Sequence, residues 1–180
     1  MTPGSGLYFR ASVTGPLLPA LYRRSFYCQH PSEHVTSRRQ ETTVISTGPI
    51  EDRLAIRELV ESYNDAVMRF DAEAWAANWR DDAVWALPGT GDGIKGKENF
   101  VPMWKNAMSG FSFVGFFASG GPITVTGNTA HATWYQQEFL HQKDGVRRNV
   151  TGRYEDDYVK ANGRWYFQRR VYQVLHSENT

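Results

Sequence analysis

The sequence predicts an α+β fold in which helices precede a sheet, and two features carry that prediction. Ile56, Leu59, Val60, Tyr63, Val67 and Phe70 recur at helical spacing along one face. Beyond residue 111, the turn signals Gly127-Asn128, Asp144-Gly145 and Asn162-Gly163 separate long aromatic and β-branched runs of similar length. A helix with an apolar stripe needs a surface to cover it, and a meander with one apolar face supplies that surface.

The elements follow in order. Pro49 suits a first helical turn, and Glu51 and Asp52 oppose the positive end of the helix dipole, so the first helix is expected from about 50 to 69. Asp71 opens a short second helix from Ala72 to Trp79, and the run from Ala83 to Leu87 reads as a first strand before the loop Pro88–Gly93. A third helix runs to about Met108 with Phe100, Met103, Trp104 and Met108 on one side. Four strands near 111–126, 129–142, 146–160 and 164–176 then form one antiparallel meander. Strict alternation groups Phe113, Gly115, Phe117 and Ser119 on one face. It groups Trp134, Gln136 and Glu138, then Gly152, Tyr154 and Asp156, then Gln168, Arg170 and Tyr172 in the same way.

Composition narrows the functional classes. With 41% hydrophobic and 14% aromatic residues in 180, the chain supports one domain with either a large core or an aromatic-lined cavity. A net charge of +1 argues against nucleic acid as partner. No run reaches the roughly 18 apolar residues of a membrane helix, so no membrane partner is expected. Cys28 is the single cysteine, which excludes an intramolecular disulfide and a cysteine metal cluster. The five histidines show no His-x-x-x-His or His-x-His spacing, and Gly89–Gly93 lacks the lysine of a phosphate loop; neither metal nor cofactor is expected. Residues 1–48 carry five arginines, no lysine and only Glu33 and Glu41 as acids, in a Ser-, Thr-, Pro- and Gly-rich setting. They are expected to be a disordered extension or to follow from a misplaced start, with an organelle transit peptide as the alternative to a cytoplasmic protein; the folded domain is expected over 49–180.

The order of three motifs adds a resemblance. Trp79-Arg-Asp-Asp-Ala-Val-Trp85 follows two helices, Gly121-Pro-Ile-Thr-Val-Thr-Gly-Asn-Thr-Ala130 spans the first hairpin, and Gly152-Arg-Tyr-Glu-Asp156 precedes Asn162-Gly-Arg-Trp-Tyr-Phe-Gln-Arg-Arg170. Together they resemble the SnoaL-like, scytalone-dehydratase-like branch of the nuclear-transport-factor-2-like (NTF2-like) superfamily over about residues 50–176. The resemblance implies a cone-shaped α+β barrel, with three N-terminal helices packed on a curved antiparallel sheet around a small-molecule pocket. The superfamily holds dehydratases, dehydrochlorinases, cyclases, isomerases and members that only bind or dimerise, so the fold does not fix a reaction. In related scytalone dehydratase and hexachlorocyclohexane dehydrochlorinase, an aspartate after the first helix and a histidine on the first long strand act as a base. Here Asp71 takes the aspartate position and Phe117 falls at that of the histidine. Tyr154 falls where these relatives carry a pocket Trp or Asn, and Arg170 where the dehydrochlorinase has a pocket arginine.

Each candidate has two readings. Asp71 is an acid/base or orienting group, or an ordinary helix N-cap. Arg170 and Tyr154 stabilise an oxyanion, or they neutralise a buried acid and pack the core. Glu138, facing Trp134, Phe117 and Tyr154 by alternation, is the replacement base, its carboxyl raised by desolvation. Tyr63, Trp85, Trp104, Phe113, Phe117 and Trp134 are the candidate substrate-binding set for a mostly apolar, ring-containing molecule. The reaction expected of such a site is a cofactor-free dehydration, isomerisation or cyclisation. The alternative is a non-catalytic binding or dimerisation module in which Phe117 fills the pocket and Thr133, Tyr135 and Gln137 face a second copy.

Overall fold

A computed structural model describes residues 45–179; the expectations for the leader, with Cys28, His30 and His34, lie outside the described residues. Helix α1 (Ile50–Met68) starts at Pro49 and buries Ile56, Leu59, Val60, Tyr63, Ala66 and Val67. Its first turn is anchored by Asp52, which accepts hydrogen bonds from Lys160 Nζ at 2.7 Å and Trp165 Nε1 at 2.9 Å. Phe70, at φ 58, reverses the chain into α2 (Ala72–Ala77). The expected extension to Trp79 stops at Asn78, because Trp79 opens β1 (Trp79–Ala86) and aligns beside Phe167. After β2 (Ile94–Lys95) and α3 (Lys97–Met108) come the long strands β3 (Phe111–Thr126), β4 (Thr129–Gln142), β5 (Arg147–Ala161) and β6 (Arg164–Asn179).

The six strands lie in the order β2-β1-β6-β5-β4-β3. This corrects two expectations. The sheet is mixed, since β1 runs parallel to β6; the chain reaches β6 only after a helix and the whole meander, so no tight turn forces that pair antiparallel. The sheet is also open rather than closed into a barrel, ending at β2 and β3. Residues before position 49 join the domain: Thr47 bridges Thr124, its N–H donates to Ile123 O at 2.9 Å, and Ser46 Oγ accepts from Ile123 N at 3.0 Å.

Helices and inner sheet face meet in a core of aromatic rings. Trp75 stacks on Trp104 at 4.8 Å, Trp79 meets Phe100 at 5.0 Å, and Tyr63 meets Phe167 at 5.5 Å. Fully burying a ring such as Phe100 or Phe167 stabilises the fold by roughly 1.5–3 kcal/mol, so this cluster dominates the packing.

Two register shifts decide which side chains reach the interior. On β3 Gly120 pairs with Trp134 but Ile123 pairs with Ala132, so the Gly121-Pro122 step adds one residue. Ile123 and Val125 face inward on one side of this bulge and Val114 and Phe116 on the other. On β6 Phe167 pairs with Tyr158 and Arg169 with Asp157, so Gln168 is the extra residue; Phe167 is buried before it and Arg170 after it, and Gln168 leaves its expected grouping. Strand β4 keeps unbroken register with β5, and Trp134, Gln136 and Glu138 share the inner face as alternation requires. No described helix is long and apolar enough to cross a membrane.

Candidate functional site

At the end of the sheet nearest α3 the core does not close. A pocket of about 280 Å³ remains between Tyr63 and Val67 of α1, Trp104 and Met108 of α3, Trp85 and Leu87 at the end of β1, and Phe116, Glu138, Arg148 and Tyr154 on the inner sheet face. Apolar groups dominate this lining, and Glu138 is its one carboxylate. Burial pushes the Glu138 carboxyl up to about 6, against the opposing pull of the Gln136 amide and the Arg148 cation. Gln136 Nε2 donates to Glu138 Oε1 at 3.2 Å and to Tyr172 Oη at 2.7 Å, which links the pocket carboxylate to the tyrosine two strands away. That crossing depends on Gly152, whose place between Gln136 and Tyr172 leaves no room for a Cβ. Burial also drives the Tyr154 phenol well above its ordinary value, so it is a neutral hydrogen-bonding group at neutral pH.

Five of the ten candidate residues line this pocket: Tyr63, Trp85, Trp104, Glu138 and Tyr154. The other five do not. Phe117 and Phe113 point outward, 55% and 47% exposed, and meet Phe139 and His141 on the outer sheet face. Between the two register shifts of β3 the inward positions are Val114 and Phe116, so Phe116 enters from β3 in place of Phe117. Trp134 is buried deeper, where its indole N–H donates to Tyr158 Oη at 2.8 Å.

Arg170 is fully buried behind Tyr154 rather than in the pocket. Its Nε lies 3.0 Å from Asp156 Oδ1, and its guanidinium carbon lies 3.8 Å from the centroid of Tyr154, 4.3 Å from that of Tyr63 and 4.4 Å from that of Phe167. Burial is the largest single influence and works against this charge, but Asp156 together with the surrounding Tyr63, Tyr154 and Tyr158 outweighs it and keeps the guanidinium protonated. Burial pushes Asp156 up to about 6, although Arg170 and the Tyr158 hydroxyl, donating at 2.8 Å, both favour its ionised form. Of its two readings, the geometry gives Arg170 that of partner to a buried acid.

Asp71 is the N-cap of α2. Its Oδ1 accepts from Ala74 N–H at 2.9 Å and its Oδ2 from Arg69 Nη1 at 3.0 Å. The Ala74 N–H and then Arg69 hold its carboxyl below the usual carboxylate range. Both oxygens are engaged at the helix end and neither lines the pocket. No imidazole lines it either; His131 sits on the outer face between Asp157 and Glu155, which raise its basicity. Among the described residues no group of three or more His, Cys, Asp or Glu side chains could hold a metal ion.

Sequence reasoning missed Phe116, Val114 and Arg148 as pocket residues. For Val114 and Phe116 the Gly120-Gly121-Pro122 run inside a strand was the available signal, since proline cannot donate to the ladder and glycine there marks a bulge.

The geometry matches known structures. A protein from Novosphingobium aromaticivorans proposed to be an aromatic ring hydroxylase shares 28% identity, with 74% of this chain and 96% of that chain covered at a TM-score of 0.69. A type 2 hexachlorocyclohexane dehydrochlorinase shares the fold at 16% identity, covering 72% and 89% of the two chains at 0.66. A protein of Novosphingobium aromaticivorans proposed to be a scytalone dehydratase does so at 19%, covering 72% and 88% at 0.66. No curated protein matches the sequence. Residues 48–171, from the strand-like segment beside β3 to the middle of β6, match the model of the SnoaL-like domain, and the chain belongs to that family.

Proposed function

We propose that this SnoaL-like domain binds a compact, mostly apolar, ring-containing molecule in the pocket and that Glu138 exchanges a proton with it. The observation that carries the reading is a single half-buried carboxylate, raised to about 6, on the wall of an otherwise aromatic and aliphatic pocket. Such a carboxylate is a stronger base than an exposed one and still ionised at neutral pH, as proton abstraction beside a carbonyl requires. Tyr154, neutral and on the same inner face, supplies a donor for the oxygen on which charge develops. Dehydration, isomerisation and cyclisation all need this pair of acts and no cofactor. The likeness to proteins proposed to act on aromatic rings and on scytalone supports the substrate class.

The test is hydrogen–deuterium exchange beside the carbonyl of 2-tetralone, an apolar bicyclic ketone, followed by NMR. The wild-type chain is expected to accelerate exchange with a limb rising near pH 6, and Glu138→Gln to abolish the acceleration while keeping ketone binding. Binding without exchange in the wild type removes the catalytic step; no binding removes the pocket reading as well.

A second reading, a non-catalytic binding or self-associating module, is favoured by the engagement of Asp71 at its helix end. Its surface would be the outward strip of Phe117, Phe139 and Tyr135, each at least 40% exposed on adjacent strands. Sedimentation velocity showing only monomer removes the self-association part.

A further inference from the structure

The pocket opens beside a second hollow lined by Phe70, Ala72, Lys105, Ser109 and Lys143, and the two share Trp104, Met108 and Phe111 as a common sill. The groups on this approach are unevenly charged. Arg148 lines the inner pocket, Lys105 and Lys143 line the outer hollow, and Glu138 is the one acid lining either. Among the described residues, none of the three cations has a carboxylate within 4 Å, whereas Lys97, Lys160 and Arg170 do.

Register places these charges in depth. On the inner face Glu138 lies opposite Val150, and Leu140 lies opposite Arg148, so Arg148 stands one inward position closer to the β4–β5 turn. Lys143 begins that turn, and its N–H donates to Gly110 O at 2.9 Å, tying the turn to the end of α3 that carries Lys105 and Met108. Lys143 and Lys105 thus line the outer hollow, the exposed Arg148 stands at the edge of the pocket, and the rings of Tyr63, Trp85 and Tyr154 line it with Glu138.

We propose that the ligand is an amphipathic anion: an apolar ring system seated in the inner pocket, carrying a carboxylate that remains at the mouth against Arg148, with Lys105 and Lys143 drawing it in. The assignment rests on the proposed pocket function and names its substrate class. Arg148 suits this role better than a lysine would, because its planar fork can meet both oxygens of a carboxylate. Its position at the rim also keeps the ligand's charge apart from Glu138, which would otherwise repel it at neutral pH.

The experiment compares 2-naphthoate with 2-naphthamide, which share a ring system and differ in charge, by calorimetry on the whole chain at low and high salt. At low salt 2-naphthoate is expected to bind roughly tenfold more tightly than the amide, the discrimination that a partly shielded charge-assisted pair supports. The amide should compete for the same site. High salt or Arg148→Gln should erase the preference between the two probes, and Lys143→Gln should reduce it in part. Both side chains are exposed and, among the described residues, have no carboxylate within 4 Å, so circular dichroism should be that of the wild type. Equal or tighter binding of the amide, or a preference that survives Arg148→Gln, overturns the anionic assignment and leaves the pocket standing. Failure of both probes to bind overturns both.

Discussion

Arg170 lies with its guanidinium carbon 3.8 Å from the centroid of the Tyr154 ring, so the buried cation and the pocket phenol form one stacked unit. Tyr154 faces the pocket with one side and covers Arg170 with the other, and Asp156 neutralises the cation from behind at 3.0 Å. Removing the cation alone leaves Asp156 buried without its counter-charge. Arg170→Met is therefore expected to destabilise the domain by about 3–5 kcal/mol in urea denaturation. Restoring neutrality with Arg170→Met/Asp156→Asn should recover much of that loss, because the cost lies in the unpaired charge. A double variant no more stable than the single one would show that Arg170 acts through packing on the rings instead.

Glu138 gives the domain a pH dependence of definite sign. Its carboxyl is raised from 4.5 to about 6 on folding, so between those values the folded chain holds a proton that the unfolded chain has released. Stability contributed by the protonated form is present below about 4.5 and is lost as pH rises through 6. The full difference corresponds to about 2 kcal/mol. Glu138→Gln, which cannot ionise, should match the wild type near pH 4.5 and exceed it by about that amount above pH 6.5. Denaturation series at the two pH values check this; parallel stabilities across the range would mean that Glu138 is solvated in the folded chain.

The same residues show how far sequence alone reached. Helical spacing from Ile56 to Val67 and the three hairpin turns were local signals, and the elements they imply are present almost to the residue. Alternation also placed Glu138 and Tyr154 on the inner face, because β4 and β5 pair without a break. Its grouping of Phe113 with Phe117 on one face also holds, but that face is the outer one. The pocket was assigned to them through the family alignment of Phe117, and alternation cannot say which face is inner beyond a bulge such as that at Gly121-Pro122. Arg170 reached the interior as expected, yet depth along the inner face depends on how far the helices cover the sheet, which strand parity does not encode. The open pocket, and Arg148 at its mouth, belong to that tertiary geometry.

Asp71 separates a structural role from a chemical one. Because its carboxylate accepts from Ala74 N–H and pairs with Arg69, Asp71→Ala should lower the melting temperature by a few degrees without changing ligand affinity, and Asp71→Ser, another good N-cap, should restore stability. The folded carboxyl is held below its ordinary value, so the stability it adds is present above the unfolded value near 3.8 and is lost as pH falls further. Loss of proton exchange in Asp71→Ser with normal melting would assign it a catalytic role despite its place at the helix end.

Gly152 is the position at which packing and chemistry meet. A Cβ there would collide with the ring of Tyr172 and stand 2.6 Å from Gln136 Nε2, both of them parts of the connection that reaches Glu138. Backbone conformation does not require glycine at this point, so the constraint is the close crossing of two side chains over the strand. Gly152→Ala should cost about 1–3 kcal/mol, the range expected of overpacking. Pushing Gln136 away also removes a donor that favours the ionised Glu138. The proton-exchange limb near pH 6 should therefore move to higher pH, a shift that general destabilisation does not produce. Tyr172→Phe removes the other partner of Gln136 without the collision. If it leaves the limb of the wild type unmoved while Gly152→Ala shifts it, Gln136 acts on Glu138 without help from the tyrosine; if both shift it, the tyrosine holds Gln136 in place.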